Sequence, residues 1–478
     1  MISLFILIPF ICLVILNVLF KVFRGMSFWL VVMISLVQIY FSGLLLFNSG
    51  GIKYDVYSTK LFSLLLKLST DNLSLLLLLT IGIVLFVSAL VGRYTIPDSR
   101  QRFNFFSLLL IALMGMNTIV MTTDIFSLYV FMEITAVALF VMIAMEKDIF
   151  ALEGAFKYMV LSAIATILIL TSIALIIMVS GDTSFAAISS AIKSSSASLM
   201  IKFAVILFLC GLFVKSGLVP FHGWLPDAYS AAPNAVSVFL AGIVTKVTGV
   251  YVLMRVVISV FGFTDPIKNV LMFTGALSIV IGAFAALGQS NFKRMLAYSS
   301  ISQVGYIILA LGCGTNLALA GAAFHLFNHA IFKSLLFVNA ASVENRLGTV
   351  DMDKMGGLSS RMPVTGATSV IGLLSTAGIP PFSGFWSKLI IIVALWNSAH
   401  YGYAVISLLM SIVTLAYFLS MQRRVFFGKI RPGLENVNEV GPGLVLPQVI
   451  LAAIVVGVGI FFPIVLNKFI LPAANILR

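Results

Sequence analysis

Charged side chains are scarce in this sequence. They make up 9% of its 478 residues, whereas a soluble domain carries roughly 25%. Hydrophobic residues reach 61% and the mean hydropathy is +1.15. Apolar runs of about 20 residues recur from end to end, which excludes a set of soluble domains. The runs are continuous rather than alternating, so the composition predicts an all-α polytopic membrane protein and not a β-barrel.

Cysteine is also scarce, and two nucleotide- and metal-binding motifs are missing. Cys12, Cys210 and Cys313 are far apart and form no CxxC, which argues against an iron–sulfur cluster, a zinc site or a disulfide framework. The sequence has no GxxxxGK[ST] loop, which argues against an ATP-driven motor. We therefore expect this chain to bind neither a cofactor nor a metal.

Fourteen apolar segments are long enough to cross a membrane. They lie near 3–22, 27–47, 71–94, 104–122, 124–145, 151–179, 200–226, 234–260, 267–289, 294–313, 317–342, 362–400, 402–425 and 444–470. The first has no basic residue before Lys21, so we expect an uncleaved helix and not a signal peptide. Residues 183–198 are predicted to form a short external surface helix or loop.

The excess of basic residues predicts an orientation. The net charge of +13 comes mainly from Lys and Arg in the odd-numbered loops, such as Arg93, Arg100, Arg423 and Arg424. By the positive-inside rule these loops are cytoplasmic. We therefore expect a multi-pass protein of the cell (inner or plasma) membrane with both termini outside, and no nucleic-acid partner.

Two of the predicted spans are over-long and contain prolines. Pro220 interrupts span seven, and Pro380 and Pro381 interrupt span twelve, so each should break into two half-helices. The sequence PFHGW after the first break recurs loosely as PFSGFW after the second. The two breaks are five spans apart, so the copies cross in opposite directions, which is typical of inverted repeats in transporters.

Span five contains Glu133, and span seven contains Lys215 just before its break. An unpaired carboxylate inside a membrane is costly, so we expect these two to form an ion pair. The pair could be purely structural, and Lys215 could instead snorkel to the interface. Lys246 lies about twelve residues into span eight, where snorkelling is harder.

Span eleven contains His325, His329 and Lys333 at positions i, i+4 and i+8, hence on one helix face. Imidazole titrates near neutral pH, which favours a proton relay. The alternatives are structural hydrogen bonding, a zinc site, which would lack HExxH and a third ligand, and haem ligation.

Lys388 follows the break in span twelve and extends this row of buried ionisable residues. Lys157 is a weaker candidate, for which a structural role at the cytoplasmic end is the alternative. Four further residues at span ends are taken as loop residues without a transport role: His222, Asp227, Lys293 and Arg294. The predicted row would carry protons with water between its members.

Several motifs occur in the order found in one known family. KSGLVPFHGWLPDAYSAAPNAVSVFLAGIVTKVTGVY, FKRMLAYSSISQVGYI, HLFNHAIFKSLLF and GIPPFSGFWSKL resemble the antiporter-like subunits. That family includes the large membrane-arm subunits of respiratory complex I, the Mrp-type multisubunit Na+/H+ antiporters and membrane-bound hydrogenases. The resemblance covers about residues 70–430.

The resemblance implies fourteen helices with two inverted five-helix repeats, at 104–260 (helices 4–8) and 267–425 (helices 9–13). Residues 1–103 would supply helices 1–3 and residues 426–478 helix 14. It also implies that Glu133 and Lys215 form a gating pair, that Lys246 connects two half-channels, that His325 and His329 are central, and that Lys388 is the exit lysine.

The leading hypothesis is a proton-translocating subunit of a larger membrane complex, coupled to redox chemistry or Na+ exchange in partner subunits. Any iron–sulfur, flavin or nickel–iron centre would then lie in those partners, and this chain would have no catalytic site. The alternatives are a non-pumping scaffold subunit and a free-standing cation/H+ antiporter. The TKVTGVYVLMR and SSRMPVT stretches favour the Mrp and hydrogenase branch.

Overall fold

A computed structural model describes residues 3–19, 25–48, 54–61, 64–194 and 198–475. All fourteen predicted segments contain helix in these ranges. The helices are α1 (Leu4–Val18), α2 (Ser27–Asn48), α3 (Asn72–Thr95), α4 (Ser99–Met121), α5 (Ile125–Ile143), α6 (Ile149–Ser180), α7 (Phe185–Ser194), α8 (Leu199–Ser216), α9 (Trp224–Ala231), α10 (Asn234–Phe261), α11 (Asp265–Leu287), α12 (Phe292–Cys313), α13 (Asn316–Leu347), α14 (Pro363–Ala377), α15 (Ser383–Asn397), α16 (Tyr401–Val425), α17 (Pro442–Ile460) and α18 (Phe462–Ala474).

The helical membrane fold is confirmed. Twelve helices of the described ranges are long and apolar enough to cross a membrane, and they span Ser27 to Ile460. α1, α14 and α15 have only 15 residues each. The count of fourteen crossings therefore stays a prediction, and the predicted end of the first span, residues 20–22, lies outside the described residues.

Both predicted helix breaks are present. α8 ends at Ser216 and α9 begins at Trp224, whereas α14 ends at Ala377 and α15 begins at Ser383. Each break contains one cis peptide bond, between Val219 and Pro220 and between Pro380 and Pro381. Span seven was predicted to run to 226, but its first half stops at 216 and its second half continues to Ala231.

The first halves of the two broken helices end in the same cap. Gly217 and Gly378 adopt left-handed backbone conformations with φ of 66° and 85°. The next amide then donates to a carbonyl five residues back, from Leu218 to Phe213 at 3.0 Å and from Ile379 to Leu374 at 2.9 Å. This is the Schellman pattern, which needs a residue that tolerates positive φ. The shared Gly-(Leu/Ile)-X-Pro sequence explains the shared geometry.

A short β-hairpin is an addition to the all-α prediction. β1 (Tyr54–Leu61) pairs antiparallel with β2 (Leu64–Thr70). The Thr123 amide donates to the Lys67 carbonyl at 3.1 Å, which anchors the hairpin over the loop between α4 and α5. The predicted external segment 183–198 contains α7, and its residues 195–197 lie outside the described part.

Odd-numbered loops contact one another, and so do even-numbered loops, as expected if successive helices cross the membrane in alternating directions. Among the odd-numbered loops, Lys293 pairs with Glu344 at 2.6 Å and Arg424 pairs with Asp353 at 2.5 Å. Among the even-numbered loops, the Phe185 amide donates to the Thr123 carbonyl at 2.9 Å. α10 and α13 lie at the centre, because the most apolar window of each is wholly buried.

Candidate functional site

The predicted ion pair between α5 and α8 is confirmed. Lys215 Nζ lies 2.9 Å from Glu133 Oε1 and donates a second hydrogen bond to Ser162 Oγ of α6 at 2.6 Å. The Lys215 side chain is 2% exposed and that of Glu133 is 28% exposed. The lysine charge is therefore compensated inside the bundle, while its partner reaches toward the surface.

α10 approaches α8 closely at this point. A Cβ atom on Gly249 would lie 2.6 Å from the Cα atom of Ser216, the residue after Lys215, so only glycine fits. Lys246 lies three residues earlier and begins a π-helical stretch, Lys246–Tyr251. Such wide turns are frequent at functional sites. Lys246 is fully buried, and its Nζ donates to the Ala241 carbonyl.

The His325, His329 and Lys333 side chains line one side of α13, and all three are fully buried. The two imidazole rings are nearly parallel, with centroids 6.3 Å apart. Lys333 Nζ donates to the Leu296 carbonyl at 3.0 Å and to Ser299 Oγ at 2.7 Å, both on α12. The predicted shared helix face is therefore confirmed, and its Lys333 end contacts α12.

Three of the four imidazole nitrogens of His325 and His329 have no hydrogen-bond partner in the part of the chain that the structure describes. His325 Nδ1 lies 2.9 Å from Ser387 Oγ of α15. His325 Nε2 and both nitrogens of His329 are buried and have no hydrogen-bond partner among the described residues. Buried polar groups bond either to protein or to ordered water, so these nitrogens are positions where water molecules are expected.

Lys388 folds back from α15 onto the end of α14. Its Nζ lies 3.4 Å from the Ala377 carbonyl and 3.4 Å from Ser411 Oγ. It also lies 4.6 Å from the centre of the Tyr306 ring, a favourable cation–π arrangement. A Cβ atom on Gly378 would be 3.0 Å from Lys388 Cδ, so the glycine that follows α14 also leaves room for this side chain.

These residues form a central cluster, which we define as Lys246, His325, His329, Lys333 and Lys388. Lys246, Lys333 and Lys388 lie near the His329 imidazole, and Lys388 also lies near the His325 imidazole. In the described chain none of the three lysines has a carboxylate partner. The cluster is therefore a buried group of bases that share no acidic neighbour.

Lys157 lies apart from this cluster. Its side chain is 41% exposed and pairs with Glu153 and Asp227, each at 2.6 Å. Asp227 also binds Arg294 of α12, so this acid connects α6, α9 and α12. Lys293, predicted as a loop residue, is buried against Glu344. The ion pairs of Lys157, Asp227 and Arg294 therefore connect the two halves of the chain at the surface.

Residues 122–414 match the family described as NADH:quinone oxidoreductase/Mrp antiporter, TM. The chain belongs to this family. It is 31% identical over 396 residues to a Na(+)/H(+) antiporter subunit of Alkalihalophilus pseudofirmus, covering 82% of this chain and 80% of that one. The Glu133–Lys215 pair and the whole central cluster lie inside the range that matches the NADH:quinone oxidoreductase/Mrp antiporter family.

Two solved structures share the fold of this family member over its full length. A chain of the Mrp complex from Dietzia sp. DQ12-45-1b superimposes with a TM-score of 0.93 at 22% identity, covering 100% of this chain and 97% of that one. A chain of the archaeal membrane-bound sulfane sulfur reductase gives 0.91 at 28% identity, covering 100% and 98%.

One buried ion pair was missed by the sequence analysis. Arg255 near the end of α10 binds Asp71, the residue before α3, through two hydrogen bonds of 2.5 and 2.8 Å. It also reaches Ser74 Oγ and the Tyr251 hydroxyl, each at 3.0 Å. The isolated Arg255 in the apolar stretch VLMRVV was the available signal. Its partner is 184 residues away, which spacing cannot reveal.

Proposed function

We propose that this chain moves protons across the membrane as an antiporter-like subunit of a multisubunit complex. The proton path would use Glu133, Lys215, Lys246, His325, His329, Lys333 and Lys388. The observation that carries the proposal is the central cluster, whose lysines and histidines have no acidic neighbour in the described chain. Three like charges are too costly to bury together, so the three lysines would not all be protonated at once, which favours proton exchange among the members of the cluster.

The Glu133–Lys215 pair would act as the switch for this cluster. While Lys215 is held by Glu133 at 2.9 Å, its charge is compensated and Lys246 can hold a proton. If the pair separates, the exposed charge of Lys215 repels a proton on Lys246. The proton would then move toward His329, which lies near Lys246, and onward through water to Lys388.

The driving force would come from partner subunits. The relative from A. pseudofirmus is a subunit of a Na(+)/H(+) antiporter, and both structural neighbours are chains of multisubunit membrane complexes. We infer that this chain also works with other membrane subunits, which would hold any redox centres or the Na+ path. The basic odd-numbered loops support a location in the cell membrane with both termini outside.

The experiment is proton translocation by the assembled complex in liposomes. Lys215→Ala and Lys388→Ala should each abolish translocation while the complex still assembles, because each removes one titratable residue of the proposed proton path. Lys354→Ala is the matched control, since this lysine side chain is 70% exposed in a loop. Undiminished translocation by either variant would overturn the proposal and favour a scaffold role. Ion exchange by the isolated chain would favour a free-standing antiporter.

A further inference from the structure

A groove on the outer wall of the first half separates polar from apolar side chains. α4, α5 and α6 form it, and its cavity volume is about 770 Å³. Polar side chains line its mouth, chiefly Arg100, Gln101, Asn104 and Lys147. Arg100 and Lys147 belong to the third and fifth loops, which carry the basic residues that predict the cytoplasmic side.

The mouth of the groove is cationic. Arg100 and Lys147 are exposed, and in the described chain neither side chain makes a hydrogen bond or an ion pair. Asp98 also lines the mouth, but its carboxylate accepts a hydrogen bond of 2.7 Å from the Gln101 amide and caps α4. Glu146 and Asp148 flank Lys147 in sequence and do not line the groove.

The walls below the mouth are apolar. Leu108 lies eight residues after Arg100 on α4, which places it about 12 Å deeper along the helix axis. Phe140 and Phe156 form the facing walls, and Phe156 is 61% exposed. The groove thus begins with two cations at the level of a membrane surface and continues into the hydrocarbon region.

We propose that this groove binds an anionic phospholipid. The lipid phosphate would lie between Arg100 and Lys147, and an acyl chain would lie along Phe140 and Phe156. Basic pockets between helices on the cytoplasmic side favour anionic headgroups for this reason. A helix of a partner subunit would fill the apolar part of the groove, but it would leave Arg100 and Lys147 without a counter-charge. The proposal is independent of proton translocation.

The test is lipid binding to the assembled complex, first delipidated in detergent. Phosphatidylglycerol and phosphatidylcholine are titrated separately and bound lipids are counted by native mass spectrometry. We expect phosphatidylglycerol to bind at least roughly tenfold more tightly, since each cation near the surface favours the anion. Arg100→Gln/Lys147→Gln should lose this preference. The matched control is Arg361→Gln/Arg423→Gln, which removes two exposed arginines of other odd-numbered loops and should retain it.

A second variant separates the acyl groove from the cations. Ala144 lines the groove, and Ala144→Phe should fill it without changing the charge, so that both lipids bind less tightly. The proposal is overturned if Arg100→Gln/Lys147→Gln retains the preference, or if inorganic phosphate displaces phosphatidylglycerol. A partner-subunit helix seated in the groove of the assembled complex would also overturn it.

Discussion

Each of the two broken helices has a lysine near the end of its first half, but the two lysines come from different sides of the break. Lys215 lies in the last turn of α8, before the break. Lys388 lies in α15, after the break, and returns to the terminal Ala377 carbonyl of α14. Lys215 therefore belongs to the last turn of a first half-helix, and the Lys388 ammonium group lies at the carbonyl end of the other, an end that carries a negative partial charge.

The two lysines differ in their neighbours. Lys215 has the carboxylate of Glu133, whereas the partners of Lys388 among the described residues are a hydroxyl, a carbonyl and the Tyr306 ring. The same contrast separates two other buried sites, because Arg255 pairs with Asp71 and the lysines of the central cluster have no carboxylate partner in the described chain. The comparison teaches that Lys215 and Arg255 have compensated charges, whereas a charge on a lysine of the central cluster would have no carboxylate partner in the described chain.

The largest expected effect comes from removing the carboxylate that compensates Arg255. Asp71→Asn leaves Arg255 buried without its counter-charge, which should cost about 3–5 kcal/mol of stability. Asparagine can still accept the Ser74 amide bond that caps α3 at 2.8 Å, so the change isolates the charge. The measurement is thermal unfolding of the complex in detergent.

The control for this variant is Asp265→Asn, whose side chain is 92% exposed and whose lysine partner is 3.9 Å away. It should change stability by only about 0–1 kcal/mol. Equal unfolding temperatures for the two variants would show that the Asp71–Arg255 pair contributes nothing.

A smaller effect is expected from the carbonyls freed at the breaks. The indole of Trp224 donates to the Val214 carbonyl at 3.0 Å, whereas the freed Ala377 carbonyl faces Lys388. Trp224→Phe removes one of two hydrogen bonds to the Val214 carbonyl, which also accepts from the Gly217 amide at 3.1 Å, and it shortens a buried ring. The two losses together should cost about 1–3 kcal/mol. Trp396→Phe, at a ring that is 54% exposed, controls for the smaller side chain. If both variants unfold alike, the indole hydrogen bond is not needed at the first break.

The smallest expected change tests the comparison directly by giving Lys388 an acid. Ser411 Oγ lies 3.4 Å from Lys388 Nζ, so Ser411→Asp would place a carboxylate beside it. A carboxylate there should hold the proton on Lys388 and slow translocation by roughly tenfold, equivalent to about 1.4 kcal/mol. Ser411→Asn has nearly the same shape without the charge. An equal loss in both variants would show that shape and not charge matters.

Sequence reasoning predicted most of the fold because a membrane helix can be recognised from a continuous local run of apolar residues. Continuous apolar runs predicted the helices, and glycine and proline at 378–381 predicted a break that the structure confirms. The hairpin at Tyr54–Thr70 was missed. Its two short strands pair with each other, and neither forms the long apolar run that marks a membrane helix. The pair of Glu133 with Lys215 was predicted because an unpaired acid in a membrane is too costly.

The sequence by itself determined the class of the protein, its helices, the two breaks and the buried ionisable residues. Those features depend on residue type and on neighbours a few positions away. Only the tertiary structure decided which charges meet: that Asp71 binds Arg255, that Lys388 turns back to Ala377, and that Lys157 stays outside the central cluster. These contacts join segments distant in sequence, and their energies depend on the packing of whole helices, which local patterns do not encode.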